Sequence, residues 1–327
     1  MHMADTLVSP VTGTAMLAVS SGLLGYSLRK VRQQFQEQWV PLMGVMGAFV
    51  FAAQMINFVI PATGSSGHVT GIILLAALLG PYPAFLVLST VLVLQALFFA
   101  DGGLLAMGCN IFNMAFWGCF IAYPLLFKPL VNGQYSRGRL VLGSVLACMV
   151  SAQLGALGVV LETLASGITE LPFSTFALLM LPIHLAIGAI EGVLTACVLL
   201  ILHRAEPRLL AGGEQKIPSA ALLSFLGISA VFMGGFVSLI ASSAPDGLEW
   251  AIKKTSGATD IPATHAWHDI SAAWQSKIAV LPDYALPGLG ETLGTMLSGV
   301  SGALLTLFLV LLLGMLVIRR KKNADIP

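Results

Sequence analysis

Runs of about 20 apolar residues recur along this chain, near 8–28, 40–60, 83–100, 104–127, 139–161, 173–202, 218–242 and 298–318. At a rise of about 1.5 Å per residue, a helix of that length crosses the hydrocarbon of a bilayer. Backbone polar groups at that depth must be satisfied within their own segment, so such runs fold as helices and not as loops or open sheets. A ninth run, 68–80, is shorter and stops at Gly80-Pro81-Tyr82-Pro83, which predicts a short helix packed inside the bundle. Only 9% of the residues are charged and 57% are hydrophobic. A soluble domain carries about 25% charged residues, so the solvent for most of this chain is lipid. The expected fold is all-α, a polytopic membrane helix bundle.

Basic residues set its orientation. Four short clusters hold 13 of the 16 Lys and Arg: Arg29, Lys30 and Arg32; Lys128, Arg137 and Arg139; Arg204, Arg208 and Lys216; and Arg319, Arg320, Lys321 and Lys322. Nine helices place all four on one side, which the positive-inside rule makes cytoplasmic, with the N-terminus outside and the C-terminus inside a bacterial cell membrane. The chain divides into a seven-helix unit, 1–203, a charged cytoplasmic linker, 204–217, and a two-helix hairpin, 218–327. The hairpin's extracytoplasmic loop, 243–297, is polar, carries Trp250, Trp267 and Trp274, and is too long for a turn, so it is expected to fold as a small cap. No internal repeat of the kind found in inverted-repeat transporters is visible.

Several classes of function are excluded. A net charge of +1 with no basic face gives no nucleic-acid surface. There is no G-x-x-x-x-G-K-[ST] run, so the chain has no P-loop for ATP, and no H-E-x-x-H or G-x-S-x-G. Cys109, Cys119, Cys148 and Cys197 lie in apolar stretches without a C-x-x-C pair and read as packing residues. The polar opening Met1-His2-Met3-Ala4-Asp5-Thr6 is not a secretory leader, so the first residue is expected to be kept.

Chemistry then rests on six histidines. His203 adjoins Arg204 at a helix end, where a cation suits the helix dipole. His265 and His268, at i, i+3 spacing in the external loop, could share a metal, but a solvated polar surface is the preferred reading. His184 and Glu191 stand on one face of the seventh helix, where unpaired ionisable groups are expensive in lipid. His2 differs through its position. A free α-amine, the amide nitrogen of residue 2 and its imidazole can chelate one ion in fused rings once the amide loses its proton. Nickel(II) and copper(II) favour the square-planar nitrogen set that results, whereas zinc sites are tetrahedral. His68, at the end of the flexible loop Pro61-Ala62-Thr63-Gly64-Ser65-Ser66-Gly67 on the same side of the membrane, is the candidate for the fourth nitrogen. The competing reading makes His2 an ordinary terminal residue and His68 a helix N-terminal histidine.

The same residues resemble the nickel/cobalt substrate-binding (S) components of energy-coupling-factor transporters, in a form fused to a two-helix companion subunit. The opening Met1-His2-Met3-Ala4-Asp5-Thr6-Leu7 is similar to the M-H-M-A-D-A-L of the nickel branch, and Gly64-Ser65-Ser66-Gly67-His68 and the run Asp101 to Met114 also match. Cys109 departs from the usual alanine. Pro245-Asp246-Gly247-Leu248-Glu249 resembles the P-D-G-L-E motif of the companion. The resemblance implies Met1, His2 and His68 as metal ligands and Ni²⁺, or Co²⁺, as transported substrate. It further implies a transmembrane coupling (T) subunit and cytoplasmic ATP-binding-cassette ATPases as partners, so that the chain itself is no enzyme. The first helix is expected to dock on the coupling subunit through Ala18 and Gly22, whose small side chains permit close approach. Two other readings stand beside this one: a proton-coupled secondary divalent-metal carrier using His184 and Glu191, and a membrane scaffold whose cap binds another protein.

Overall fold

The computed structural model describes residues 1–34, 37–131, 135–210, 218–259, 261–263, 265–286 and 290–324. Each of the nine apolar runs contains a helix: α1 (Pro10–Gln34), α2 (Val40–Gln54), α3 (Ile72–Leu79), α4 (Pro81–Phe98), α5 (Met107–Val131), α6 (Arg137–Ser166), α7 (Phe173–Ala205), α8 (Ala220–Gly235) and, last in the chain, α11 (Glu291–Ala324). Six of these, α1, α4, α5, α6, α7 and α11, are long and apolar enough to cross a membrane unaided. The middle of α5, Phe112–Phe127, winds as a π-helix around Pro124, which has no N–H to give to a helical ladder. Half of the linker expected at 204–217, residues 211–217, lies outside the described residues; α7 runs into its start, ending at Ala205.

Small residues set the helix contacts, as they do where lipid supplies no hydrophobic drive between helices. A β-carbon on Gly108 of α5 would stand 2.3 Å from the Leu17 nitrogen of α1, so the two backbones touch. Beside this contact the Ser20 hydroxyl donates to the Gly108 carbonyl at 2.7 Å. The C-terminal hairpin is not a separate body. Leu311 and Val310 of α11 fill the space left by Gly44 and Gly47 of α2, and Gly234 of α8 meets Gly299 of α11 backbone to backbone.

A short strand pair and a folded external loop shape the outer end. Residues after α2 form a short antiparallel hairpin, β1 (Phe58–Ile60) and β2 (Ser65–Gly67), with Val59 opposite Ser66. Ala62 and Gly64 turn the chain with φ of 63° and 74°, a region glycine enters freely. The external loop folds into α9 (Gly247–Ser256) and α10 (Ala266–Ile278). Asp246 and Glu249 form a capping box at the start of α9. Gln275 of α10 donates to the carbonyls of Ala96 and Gly102, and Phe98 O accepts from the nitrogens of Val280 and Leu281, so the loop is fastened over the ends of α4 and α5 as a cap.

Candidate metal-binding site

The first eight residues thread between the helices beneath this cap. Met1, Met3, Leu7 and Val8 are buried, and Asn110 clasps the main chain of Met3, accepting from its nitrogen at 2.7 Å and donating to its carbonyl at 3.1 Å. Gly103 N also donates to the Met3 carbonyl, while Oδ1 of Asp5 accepts from the nitrogens of Leu105 and Ala106. Gly103 is required here, since a β-carbon would fall 1.8 Å from Asp5 Oδ1.

This threading brings Met1, His2 and His68 together. The Met1 nitrogen stands 3.0 Å from Nε2 of His68, and the rings of His2 and His68 stack with centroids 5.3 Å apart. Each imidazole has one nitrogen committed to a neighbour. Nδ1 of His68 donates to the Val69 carbonyl at 3.2 Å, which leaves the Nε2 lone pair facing Met1. Nε2 of His2 donates to Oε1 of Gln95 at 3.2 Å, and the Gln95 amide is itself oriented by Gln54, whose Oε1 accepts from Gln95 Nε2 at 2.9 Å. Gln54 in turn donates to the Thr70 carbonyl. His2 Nδ1, the nitrogen through which a ring from residue 2's own amide closes, lies 3.3 Å from Oδ1 of Asp101. Burial, followed by the terminal ammonium and His2, pushes His68 down to about 3; burial lowers His2 as well, against the pull of Asp101. Both rings are therefore neutral and ready to donate electron pairs.

Asp246, from the C-terminal hairpin, is the residue that sequence reasoning quoted in a motif without giving it a place in the site. Its Oδ2 lies 2.7 Å from the Met1 nitrogen, and burial, which pushes its carboxyl up, is outweighed by that ammonium and His68, which hold it well below the usual range. Ser66 N and Oγ donate to the carbonyls of Pro245 and Ala244, so β2 and the loop before α9 are sewn together next to Met1 and His68. Gln54, Gln95 and Asn110 were likewise not singled out; polar amides inside apolar runs are the signal that marks them.

The other histidines fall elsewhere. His184 is buried in α7, with Nδ1 donating to the Met180 carbonyl one turn back and Cε1 packed where a β-carbon of Gly247 would lie 2.9 Å away. Glu191 Oε1 accepts from Thr70 N, Thr70 Oγ1 and Gly71 N, tying α7 to the start of α3. His203 packs on Tyr135. His265 stacks on Trp267, but His268 is 3% exposed, so the solvated-surface reading of this pair fails at His268 because α10 turns that ring inward. Cys109, Cys119 and Cys148 are buried packing residues, whereas Cys197 is exposed on α7, so the packing reading does not extend to it.

Residues 2–209 match the family described as the cobalt uptake substrate-specific transmembrane region, and residues 220–319 match the PDGLE domain. The chain belongs to the cobalt uptake substrate-specific transmembrane family. It is a multi-pass membrane protein of that family with a PDGLE domain fused behind it. Among curated relatives, it is 32% identical to the fused nickel transport protein of Rhodobacter capsulatus, over 93% of this chain and 94% of that one. It is 29% identical to the cobalt transport protein of Geobacter sulfurreducens, over 70% and 68% of the two chains. Among solved structures, a truncated transition metal transporter matches 63% of this chain and 99% of its own length, with a TM-score of 0.55 and 31% identity.

Proposed function

We propose that this family member captures Ni²⁺, or Co²⁺, outside the cell through four nitrogens: the Met1 amine, the His2 amide, the His2 imidazole and Nε2 of His68. One observation carries the reading, the 3.0 Å approach of the Met1 nitrogen to Nε2 of His68. Adjacent corners of a square with metal–nitrogen bonds of about 2.0 Å are about 2.8 Å apart, so the two atoms already stand near the spacing of neighbouring ligands. Among the described residues no group of three His, Cys, Asp or Glu side chains is placed to hold a metal, which favours a site that recruits main-chain nitrogen. The two nickel and cobalt transport relatives agree with the ion class.

The chain acts in this reading as the substrate-binding subunit of an energy-coupling-factor importer. It lies with the N-terminus outside and the C-terminus cytoplasmic, and a T subunit and ATP-binding-cassette ATPases supply the energy. The unit 1–203 holds the ion, while 218–327 covers it with the 243–297 loop. The proton-coupled carrier loses ground because His184 and Glu191 are each engaged in bonds that fix helices.

The deciding experiment is nickel titration of the purified full chain with and without one residue added before Met1. Extension turns the amine into an amide and moves it, so tight binding and the square-planar absorption should vanish, as they should in His2→Ala and His68→Ala. Unchanged binding in the extended chain would remove the terminal chelate and make His184 the next ligand to test.

A further inference from the structure

At about 100° per residue, the side chains of the cap helix α10 sort onto three bands. His268, Ser271 and Gln275 turn inward: His268 is buried, the Ser271 hydroxyl donates to Asp5 Oδ2, and Gln275 holds the carbonyls of Ala96 and Gly102. Asp269 and Ser276 are exposed on one flank. Trp267, Ile270, Trp274 and Ile278 are exposed on the other, within a band about 80° wide. Apolar residues scattered over a surface need no explanation, but two tryptophans and two isoleucines in one stripe do.

We propose that this stripe is seated in the bilayer interface beside the bundle, so that α10 anchors the cap to phospholipid. Ile278, at one end of the stripe, lines a groove of about 550 Å³ with Leu24 of α1, Leu97 and Phe98 of α4 and Leu312 of α11. Those three helices are long and apolar enough to cross a membrane and Leu312 is exposed, so the stripe leads into a surface that meets lipid. With 13 residues α10 is about 20 Å long, too short to cross about 30 Å of hydrocarbon, and it carries Asp269 and Lys277, so it lies along the boundary. Tryptophan suits that depth because its ring is apolar while its N–H can stay wet. Lys277 stands at the edge of the stripe with Nζ 5.6 Å from the centre of the Trp274 ring, which lets its stem lie in the boundary and its ammonium meet lipid phosphate. The inward bond from Ser271 reaches Asp5, so the bilayer steadies the cap over the N-terminal segment.

The inference does not depend on the metal-capture reading. Its test is tryptophan fluorescence of the full chain in phosphatidylcholine nanodiscs, with lipids brominated either just below the headgroup or near the chain end. The light lost in Trp274→Phe, a change at an exposed position, is the share that Trp274 emits. That share should fall at least twofold with the shallow bromines and less with the deep ones, and aqueous acrylamide should quench it several-fold less than free tryptophan. Shallow bromines without effect, together with acrylamide quenching close to that of free tryptophan, would place the stripe in water, open to a protein partner, and overturn the interfacial seat. Hydrogen exchange decides where that share is too small to read. Ile270 and Trp274 are 59% and 60% exposed, so Ile270→Glu with Trp274→Glu would leave α10 unchanged if the stripe faced water. In the interface the same pair should speed amide exchange along Ala266–Ile278 at least tenfold in nanodiscs, and unchanged exchange would overturn the proposal.

Discussion

Oδ2 of Asp246 lies 2.7 Å from the terminal nitrogen of Met1, across 245 positions of sequence. Its other oxygen accepts from the nitrogens of Leu248 and Glu249, so one carboxylate both caps α9 and neutralises the terminal ammonium, the group that closes the proposed chelate. The charge at that nitrogen is the same before and after loading: an ammonium carries +1, and so does a divalent ion bound to a neutral amine and one ionised amide. The carboxylate therefore attracts both states alike. Asn caps helices as well as Asp does, so Asp246→Asn removes the counter-charge and spares α9. It should speed acylation of the terminal amine in metal-free protein several-fold, while nickel affinity changes by less than about threefold. Amine labelling followed by mass spectrometry, beside a nickel titration, checks both halves.

Proton release separates the four nitrogens. His68 is pushed down to about 3 and His2 is lowered as well, so both imidazoles are already neutral near pH 7 and release nothing on binding. The protons come from the ammonium and from the His2 amide, about two per ion in all. Affinity should accordingly fall as pH falls, and calorimetry in buffers of different ionisation enthalpy should count those protons. A count of zero would remove amine and amide from the ligand set. Folding is linked in the same direction. An imidazole neutral in the fold but free in the unfolded chain lets the unfolded state bind the extra proton. The stability contributed by keeping His68 neutral is thus complete above the free value of about 6.5 and declines as pH falls from there towards about 3.

How much of this could be read from the sequence depended on whether the signal was local. The helices within the apolar runs were legible because length and hydropathy act within each segment; α2 nonetheless ends at Gln54, where the run predicted helix to residue 60, because β-branched Val59 and Ile60 pair with β2. Met1 and His2 could be put forward as a candidate chelate because the fused rings need only neighbours in sequence. The approach of His68 was suggested by a flexible loop and a shared side of the membrane. Asp246 was quoted only for its motif, because nothing local shows which group a capping carboxylate turns its second oxygen towards. His268 was misread because i, i+3 spacing tells which residues share a helix face but not whether that face points to water.

Gly103→Ala tests whether the seating of the N-terminal segment controls the site. The added carbon would lie 1.8 Å from Asp5 Oδ1 and 2.5 Å from Asp5 N, so the segment has to move away from Leu105 and Ala106. Overpacking of this kind costs about 1–3 kcal/mol, which is roughly a 5- to 150-fold loss of nickel affinity if the segment must be pressed back to bind. Helix content by circular dichroism should stay within error of the wild type. Unchanged affinity would mean that the metal site assembles independently of this contact.

The outward face of α1 tests the partnership. Gly13, Ser20 and Ser27, seven residues apart, are buried on one side of this helix, while Ala18 and Gly22 are exposed on another and a β-carbon at Gly22 would meet nothing within 4 Å. Internal packing therefore does not explain the small residues at those two positions. If α1 approaches a coupling subunit closely there, Ala18→Leu with Gly22→Leu should hold the two helices apart, since each leucine adds bulk where backbones would meet. Inside this chain the same leucines have room, so tight nickel binding by the purified protein should be kept. Co-purification with the coupling subunit of the proposed importer should then fall by at least tenfold, and cellular nickel uptake with it. Loss of metal binding without loss of the complex would instead place this face of α1 in the site's own support, and the docking surface would have to be sought on α6 or α7.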